Sequence, residues 1–278
     1  MQQQVSSWTS DELTDYRYIG ANPNNYVYYN CTNPSDYSTC EKWRIIGVFT
    51  TEDKDGNKAQ RIKIIRNATI GNLAWNSTKV NNYYTNEWVG GSLATLLNSG
   101  DYYTRSNTYA SNGLTTSAKS MIDEKAKYYL GGYDKYDNIG GNTYYSFERG
   151  TAVYSGRSTS AIQEVGLLYP SDYVYTYANG VENTCYTDAY DCYSNPSAGW
   201  IFDINGGNNH MFTISPQSNA TNAVFTIHTS GYVNIQFYGN NNVTGAMNVY
   251  PVVYLNSDVT IDPNQGDGSE NNPYRLIG

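Results

Sequence analysis

Charge is scarce in this chain of 278 residues. Asp, Glu, Lys and Arg together make up 15%, well below the roughly 25% usual in soluble domains. The polar surface must therefore be built from amide, hydroxyl and phenol groups. The charge that is present leans acidic, 25 carboxylates against 17 cations, for a net −8. That balance excludes the phosphate-neutralising surface of a nucleic-acid binder. No apolar run approaches the roughly 18 residues that span a bilayer, and the opening MQQQVSSWTS has no apolar signal core. Histidine occurs only at 210 and 228. Both sit in segments that read as strands, where a packed or surface imidazole is the plain expectation. A G-x-S-x-G elbow, a phosphate loop and a dinucleotide fingerprint are all missing, so the chain lacks the usual signatures of serine hydrolases and nucleotide enzymes.

Tyrosine and asparagine are abundant instead, with 30 Tyr and 34 Asn. Such a composition resembles that of paratopes, where Tyr supplies rigid contact area and Asn adaptable hydrogen bonds. AT-rich coding, which favours Asn, Tyr and Ile codons, is the competing explanation. The four cysteines form two couples, Cys31/Cys40 and Cys185/Cys192, each bracketing a short polar loop. Local disulfides are expected, with free thiols as the alternative, and an even count in loops suits an oxidising compartment. Zinc would want C-x2-4-C pairs or nearby histidines, and neither is present. No cofactor is expected.

The hydrophobic pattern predicts an α+β chain. Residues 1–12 read as a flexible stub and 13–278 as one elaborated domain. WRIIGVF (43–49) and RIKIIR (61–66) flank an Asp55-Gly56 turn and predict a hairpin. Two helices are expected. Ser92 caps a short one carrying Leu93, Leu96 and Leu97. Thr115 or Thr116 caps a longer one, in which Ala118, Met121, Ile122, Ala126 and Tyr129 fall at helical spacing before Gly131. From Glu164 onward EVGLLYP, GWIFDI, HMFTISP, NAVFTIHT, GYVNIQFY and VYPVVYL read as short strands, with a tight turn at Thr229-Ser230-Gly231.

Two acidic stretches resemble fragments of a calcium loop. Asp53-Lys54-Asp55-Gly56-Asn57 lacks the bidentate Glu at the twelfth position, and Asp262 to Asp267 places Gly266 where a third ligand belongs. Neither is expected to hold a metal. Glu148, Glu164, Asp172 and Asp203 carry no local signature of paired acid catalysis.

The segment MFTISPQSNATNAVFTIHTSGYVNIQFYGNNNVTGAMNVYPVVYL (211–255) resembles the C-terminal part of bacterial surface proteins with a C-type-lectin-like, formylglycine-generating-enzyme-like fold. Ser215-Pro216, Asn222-Ala223, Gly231, Val233-Asn234 and Pro251-Val252 match that frame, while Val224 stands where a Trp is usual and Tyr250 where an Arg is usual. Scattered upstream pieces, among them AKSMID and VGLLYPSDY, resemble a gut-bacterial subgroup whose members often carry a pilin-like N-terminal anchor. The resemblance implies a lectin-like scaffold, a cell-surface location and an anchor removed ahead of Met1. It brings neither the E-P-N or Q-P-D calcium motifs of sugar-binding lectins nor the cysteine chemistry of the oxidising enzymes, since the cysteines lie outside the matching frame.

The same frame occurs in the variable proteins of diversity-generating retroelements, which present a changeable face on a fixed backbone. By that resemblance the ligand-binding positions are Thr221, Phe225, Ile227, Tyr232, Ile235, Gln236, Tyr238, Asn240, Asn241 and Asn242, within a frame at about 210–255. Phe225, Ile227, Tyr232, Gln236 and Tyr238 are expected to be exposed and close together. The implied function is non-covalent recognition of a protein or glycan on another cell or surface. A structural pilus or surface subunit and a hydrolase of a surface polysaccharide are the other classes.

Overall fold

The computed structural model describes residues 2–3, 15–77, 85–134, 139–177, 191–207, 209–237 and 245–278. Its backbone is the predicted α+β type, rich in strands with short helices between them. The hairpin around Gly56 is its organising element. Glu41–Glu52 pairs with Lys58–Arg66 from Trp43↔Arg66 to Glu52↔Lys58, because β-branched and aromatic residues fill both strands. Asp53 makes the turn. Its carboxylate accepts from Asp55 N–H, Asn57 N–H and the Asn57 amide at 2.8–3.1 Å, so the acids that resembled a calcium fragment close a loop. A register shift at Ile45/Gly47 bulges the long strand. Gly47 is needed there: a Cβ on it would stand 2.1 Å from the Tyr16 carbonyl oxygen.

Tyr16–Arg17, Tyr26–Tyr29, Val252–Tyr254, Val165–Gly166 and Gln2–Gln3 complete this larger sheet. A second sheet runs in the order Val233–Phe237, Ala223–Ile227, Met211–Pro216, Met247–Asn248 and Asn72–Leu73. The predicted turn at Thr229-Ser230-Gly231 joins its first two strands, with Gly231 at φ +86°. There His228 N–H donates to Tyr232 O at 2.8 Å. One hydrophobic cluster runs from Tyr18 to Val259 and touches both sheets.

Three expectations are corrected. GWIFDI is not a strand but the helix Trp200–Asn205, ended by Gly206 in the left-handed region. A short apolar run does not distinguish the two by periodicity. The helix capped by Thr115 spans only Thr116–Ser120, and Lys127–Tyr129 is a strand paired with Ser160–Ile162. The matching 3.6-residue spacing was coincidental, because Ala126, Tyr128 and Leu130 alternate inward at a spacing of two. The helices also differ in number and start: Gly141–Glu148 and Pro170–Val174 exceed the expected pair, and Ser92–Asn98 is preceded by Gly91 at its cap, with Ser92 as its first residue.

Tyrosine is largely a core residue here. Tyr29, Tyr102, Tyr128, Tyr169, Tyr173, Tyr177 and Tyr254 are among the largest fully buried side chains. Most reach a polar partner, as a buried phenol requires. Tyr29 donates to Ala118 O at 2.6 Å, Tyr128 to Val252 O at 3.1 Å and Tyr177 to Pro196 O at 2.7 Å.

Cys31 and Cys40 are joined in a disulfide. Cys192 is buried and disulfide-bonded as well, while Cys185 lies outside the described residues. The Cys31–Cys40 loop is short and polar, and Asp36 caps its helical turn by accepting from Ser38 N–H and Oγ–H at 3.0 and 2.7 Å. Replacing both Cys31 and Cys40 by Ala is expected to cost about 2–3 kcal/mol on the chain-entropy estimate for so small a loop. Urea unfolding of the double variant without reductant measures it. An unchanged midpoint would mean that the bridge does not restrict the unfolded chain.

Candidate functional site

The segment before Ala223 is held from beneath by one side chain. Asn86 is buried, and its amide N–H groups are spread over the carbonyls of Gln217, Ala220 and Ala223 at 2.9–3.1 Å. Its backbone N–H donates to Thr221 O at 2.8 Å. Arg157 holds the other side of the amide, donating from Nε to Asn86 Oδ1 at 3.2 Å and from Nη2 to Thr221 O at 3.4 Å. Thr221 is left exposed on a backbone fixed by these bonds.

The turn at the opposite end of Ala223–Ile227 is fixed just as firmly. The Tyr173 hydroxyl, from the helix Pro170–Val174, donates to Gly231 O at 2.6 Å. Gly231 itself lies so close to the Cys192–Pro196 segment that a Cβ would meet Pro196 Cβ at 2.3 Å. His228 Nδ1 accepts Ser230 N–H at 3.0 Å, which assigns its ring proton to Nε2. Its ring stacks on Tyr232, with centroids 4.3 Å apart, and meets His210 edge-on at 4.5 Å. Burial lowers the pKa of both imidazoles, and for His210 the neighbouring His228 adds to it. Both are neutral at pH 7.

The anticipated binding positions separate accordingly. Thr221 is exposed and Tyr232 is half-buried, its ring against His228. They lie at opposite ends of the same strand and do not converge. Phe225 and Ile227, expected on the exposed face, are 3% and 0% exposed. Phe225 packs edge-on against Tyr144 of the helix Gly141–Glu148 at 5.9 Å, and all five residues of Ala223–Ile227 are buried. The strand is covered on both faces, so alternation along it does not deliver an outward side. The backbones of Ile235 and Gln236 pair with Phe225 and Val224. Tyr238, Asn240, Asn241 and Asn242 lie outside the described residues. Tyr250 is buried and donates to Asn205 Oδ1 at 3.2 Å, which ties the stretch before Val252–Tyr254 to the Trp200–Asn205 helix.

The acids divide into a sealed set and an open one. Asp172 and Glu148 are buried together with cations and rings. Asp172 pairs with Lys63, which is wholly buried and lies 4.2 Å from the Tyr169 ring centroid. Glu148 accepts Ser171 N–H at 2.8 Å and faces Arg149 Nη1 at 3.6 Å. Burial pushes its carboxyl up to about 7 against the pull of Arg149 and Ser171. The open set lines a cleft of about 500 Å³ that includes Asp123, Glu124, Glu164, Lys119 and Tyr103. Here Asp123 is bound by Arg61 Nε at 2.5 Å and Glu164 accepts the Tyr103 hydroxyl at 2.6 Å. Burial, aided by Glu164, pushes the Tyr103 phenol up to about 12, so it stays a donor at neutral pH. Asp203 is exposed. General-acid chemistry near neutral pH wants a raised carboxyl at an accessible site. The raised one, Glu148, is 1% exposed.

Among the described residues, no group of three or more His, Cys, Asp and Glu side chains is placed to hold a metal. The holding residues Asn86, Arg157 and Tyr173 were not found by sequence reasoning. Asn86 meets carbonyls more than 130 positions away, and nothing near it in the chain marks that role. Comparison with protein families, curated proteins and solved structures finds no match.

Proposed function

We propose that this chain is an extracellular recognition protein, an adhesin or receptor-binding module, with a C-type-lectin-like scaffold that presents a binding surface on its second sheet. The observation that carries the reading is the way the segment 217–223 is held. Asn86 and Arg157 grip its carbonyls and leave the Thr221 side chain outward. Fixing a loop through its backbone keeps its geometry independent of the outward side chains, which suits a contact surface. The binding surface is smaller than the sequence implied. What remains of it is Thr221 at one end of Ala223–Ile227 and Tyr232 with His228 at the other; Phe225 and Ile227 are excluded. The partner class is a protein or glycan on another cell or surface. Both the disulfide and the low charge support an extracellular location.

Binding of the labelled protein to a glycan array and to intact cells tests this. Thr221→Arg and Tyr232→Ala are expected to reduce binding at least about tenfold, while stability moves by about 0.5 kcal/mol or less at the exposed Thr221. Retention of full binding by both variants would remove this surface from the function.

A further inference from the structure

Among the described ion pairs, Lys63–Asp172 alone joins an amine to a carboxylate out of reach of water. The two side chains are 0% and 2% exposed. The other lysine pairs, Lys42–Glu270, Lys54–Asp55 and Lys127–Glu52, all reach solvent. The other buried pairs, Arg17–Asp15 and Arg61–Asp123 among them, use a guanidinium, which keeps its proton and is no nucleophile. A lysine amine that has given up its proton is one. Burial pushes the Lys63 amine down, toward the form with a free electron pair, against the pull of Asp172.

Both groups are held in contact from rigid elements. Lys63 lies within the strand Lys58–Arg66, opposite Gly47 on one side and Tyr254 on the other. The rings of Tyr169, Tyr254 and Phe49 stand 4.2–5.4 Å from its Nζ. Asp172 lies in the first turn of Pro170–Val174, where its Oδ2 accepts from Lys63 Nζ and, at 2.8 Å, from Tyr169 N–H. Ser171 beside it donates from N–H and Oγ–H to Glu148 at 2.8 and 2.5 Å. The Tyr169 N–H draws electrons toward Oδ2 and leaves Cγ more open to attack. Groups oriented in this way react at effective concentrations of about 10⁵–10⁸ M.

We propose that Lys63 and Asp172 condense to a side-chain amide, a covalent cross-link inside the core. The ammonium first passes one proton to the carboxylate across their hydrogen bond. Nζ then attacks Cγ and the Nζ–Cγ bond forms. A second proton passes from Nζ to the leaving oxygen, the Cγ–O bond breaks, and one water departs. The ammonium protons end as one amide N–H and the two hydrogens of that water, so no further reactant is needed and nothing is oxidised or reduced. The driving force is electrostatic: two buried charges, costly to keep from water, give way to one neutral amide. The product ties the central hairpin to a helix 109 positions away, whose Tyr173 holds the Gly231 turn. The two groups meet only in the fold. Fresh protein therefore still holds the ion pair, whose stability is read at that stage, and the linked form accumulates with time.

Intact-mass spectrometry of the reduced wild-type chain, followed over weeks of storage in the folded state, tests the proposal. A growing component lighter by the mass of one water is expected. Proteolysis of that component should release a branched peptide in which Lys63 and Asp172 are joined. The double variant Lys63→Met with Asp172→Ala leaves no stranded charge and should keep its full sequence mass. A wild-type chain that keeps its full sequence mass throughout overturns the proposal. So does a water loss that peptide mapping places at Asp55-Gly56 or Asp267-Gly268, since an Asp-Gly sequence loses the same mass by closing to a succinimide. Equal water loss in the double variant overturns it too.

Discussion

Replacing Asp172 by Ala is expected to cost about 3–5 kcal/mol, the range for leaving one member of a buried ion pair without its partner. Lys63 has no route to water. It is wholly buried in the strand Lys58–Arg66, beneath the rings of Tyr169, Phe49 and Tyr254. Those rings attract the ammonium through their faces, but they carry no net charge to replace the carboxylate. The substitution also frees the Tyr169 N–H, which donates to Asp172 Oδ2 at 2.8 Å and starts the helix Pro170–Val174. Urea unfolding at pH 7 measures the loss. Lys63→Met in the Asp172→Ala background should recover most of it, because an apolar side chain of similar length leaves no stranded charge. What is not recovered reports the lost helix cap, about 1 kcal/mol. A single variant destabilised by less than about 1 kcal/mol would mean that Lys63 is neutral in the native protein or that water reaches it.

A second large effect depends on pH. Burial raises the Glu148 carboxyl to about 7 from its ordinary 4.5. Below pH 4.5 the folded and unfolded chains both hold this proton. As pH rises from 4.5 to 7 the unfolded chain gives it up and the folded chain keeps it, so the stability that Glu148 contributes at low pH is progressively lost. Above pH 7 the loss is complete, at about 3 kcal/mol for a shift of this size. The direction is opposite to that of an ordinary salt-bridged carboxylate, which gains stability as pH rises. Glu148→Gln keeps an acceptor for Ser171 N–H and does not titrate. Urea midpoints between pH 5 and pH 8 should fall more steeply for the wild type than for this variant, by about 2–3 kcal/mol once converted to free energy. Parallel pH profiles would show that Glu148 is already ionised in the fold.

Local features were legible in the sequence, whereas long-range ones were not. The hairpin around Asp55-Gly56, a helix start at Thr115 or Thr116, the Thr229-Ser230-Gly231 turn and the Cys31–Cys40 bridge each depend on residues within about ten positions of one another, and the structure forms each of them. Alternation failed at Ala223–Ile227 because it marks an outward face only on a sheet open to water. Helix Gly141–Glu148 supplies the cover there through Tyr144, and its composition, GNTYYSFE, does not suggest a core helix. Lys63 shows the same limit. RIKIIR reads only as a strand, and the carboxylate that permits the burial of Lys63 lies 109 positions away.

The tyrosine core also bears on why the chain has 30 Tyr and only 6 Phe. Coding bias does not separate these two, because their codons can be equally rich in A and T. The hydroxyl does. Tyr29, Tyr128, Tyr173 and Tyr177 each bind a backbone carbonyl from a distant segment, so a ring without oxygen would fill the same volume and leave a buried acceptor bare. Tyr and Phe, interchangeable in an ordinary apolar core, are therefore different letters here. The phenol oxygens join segments of the interior much as cross-links do, and drift from Tyr to Phe is opposed at each of these positions.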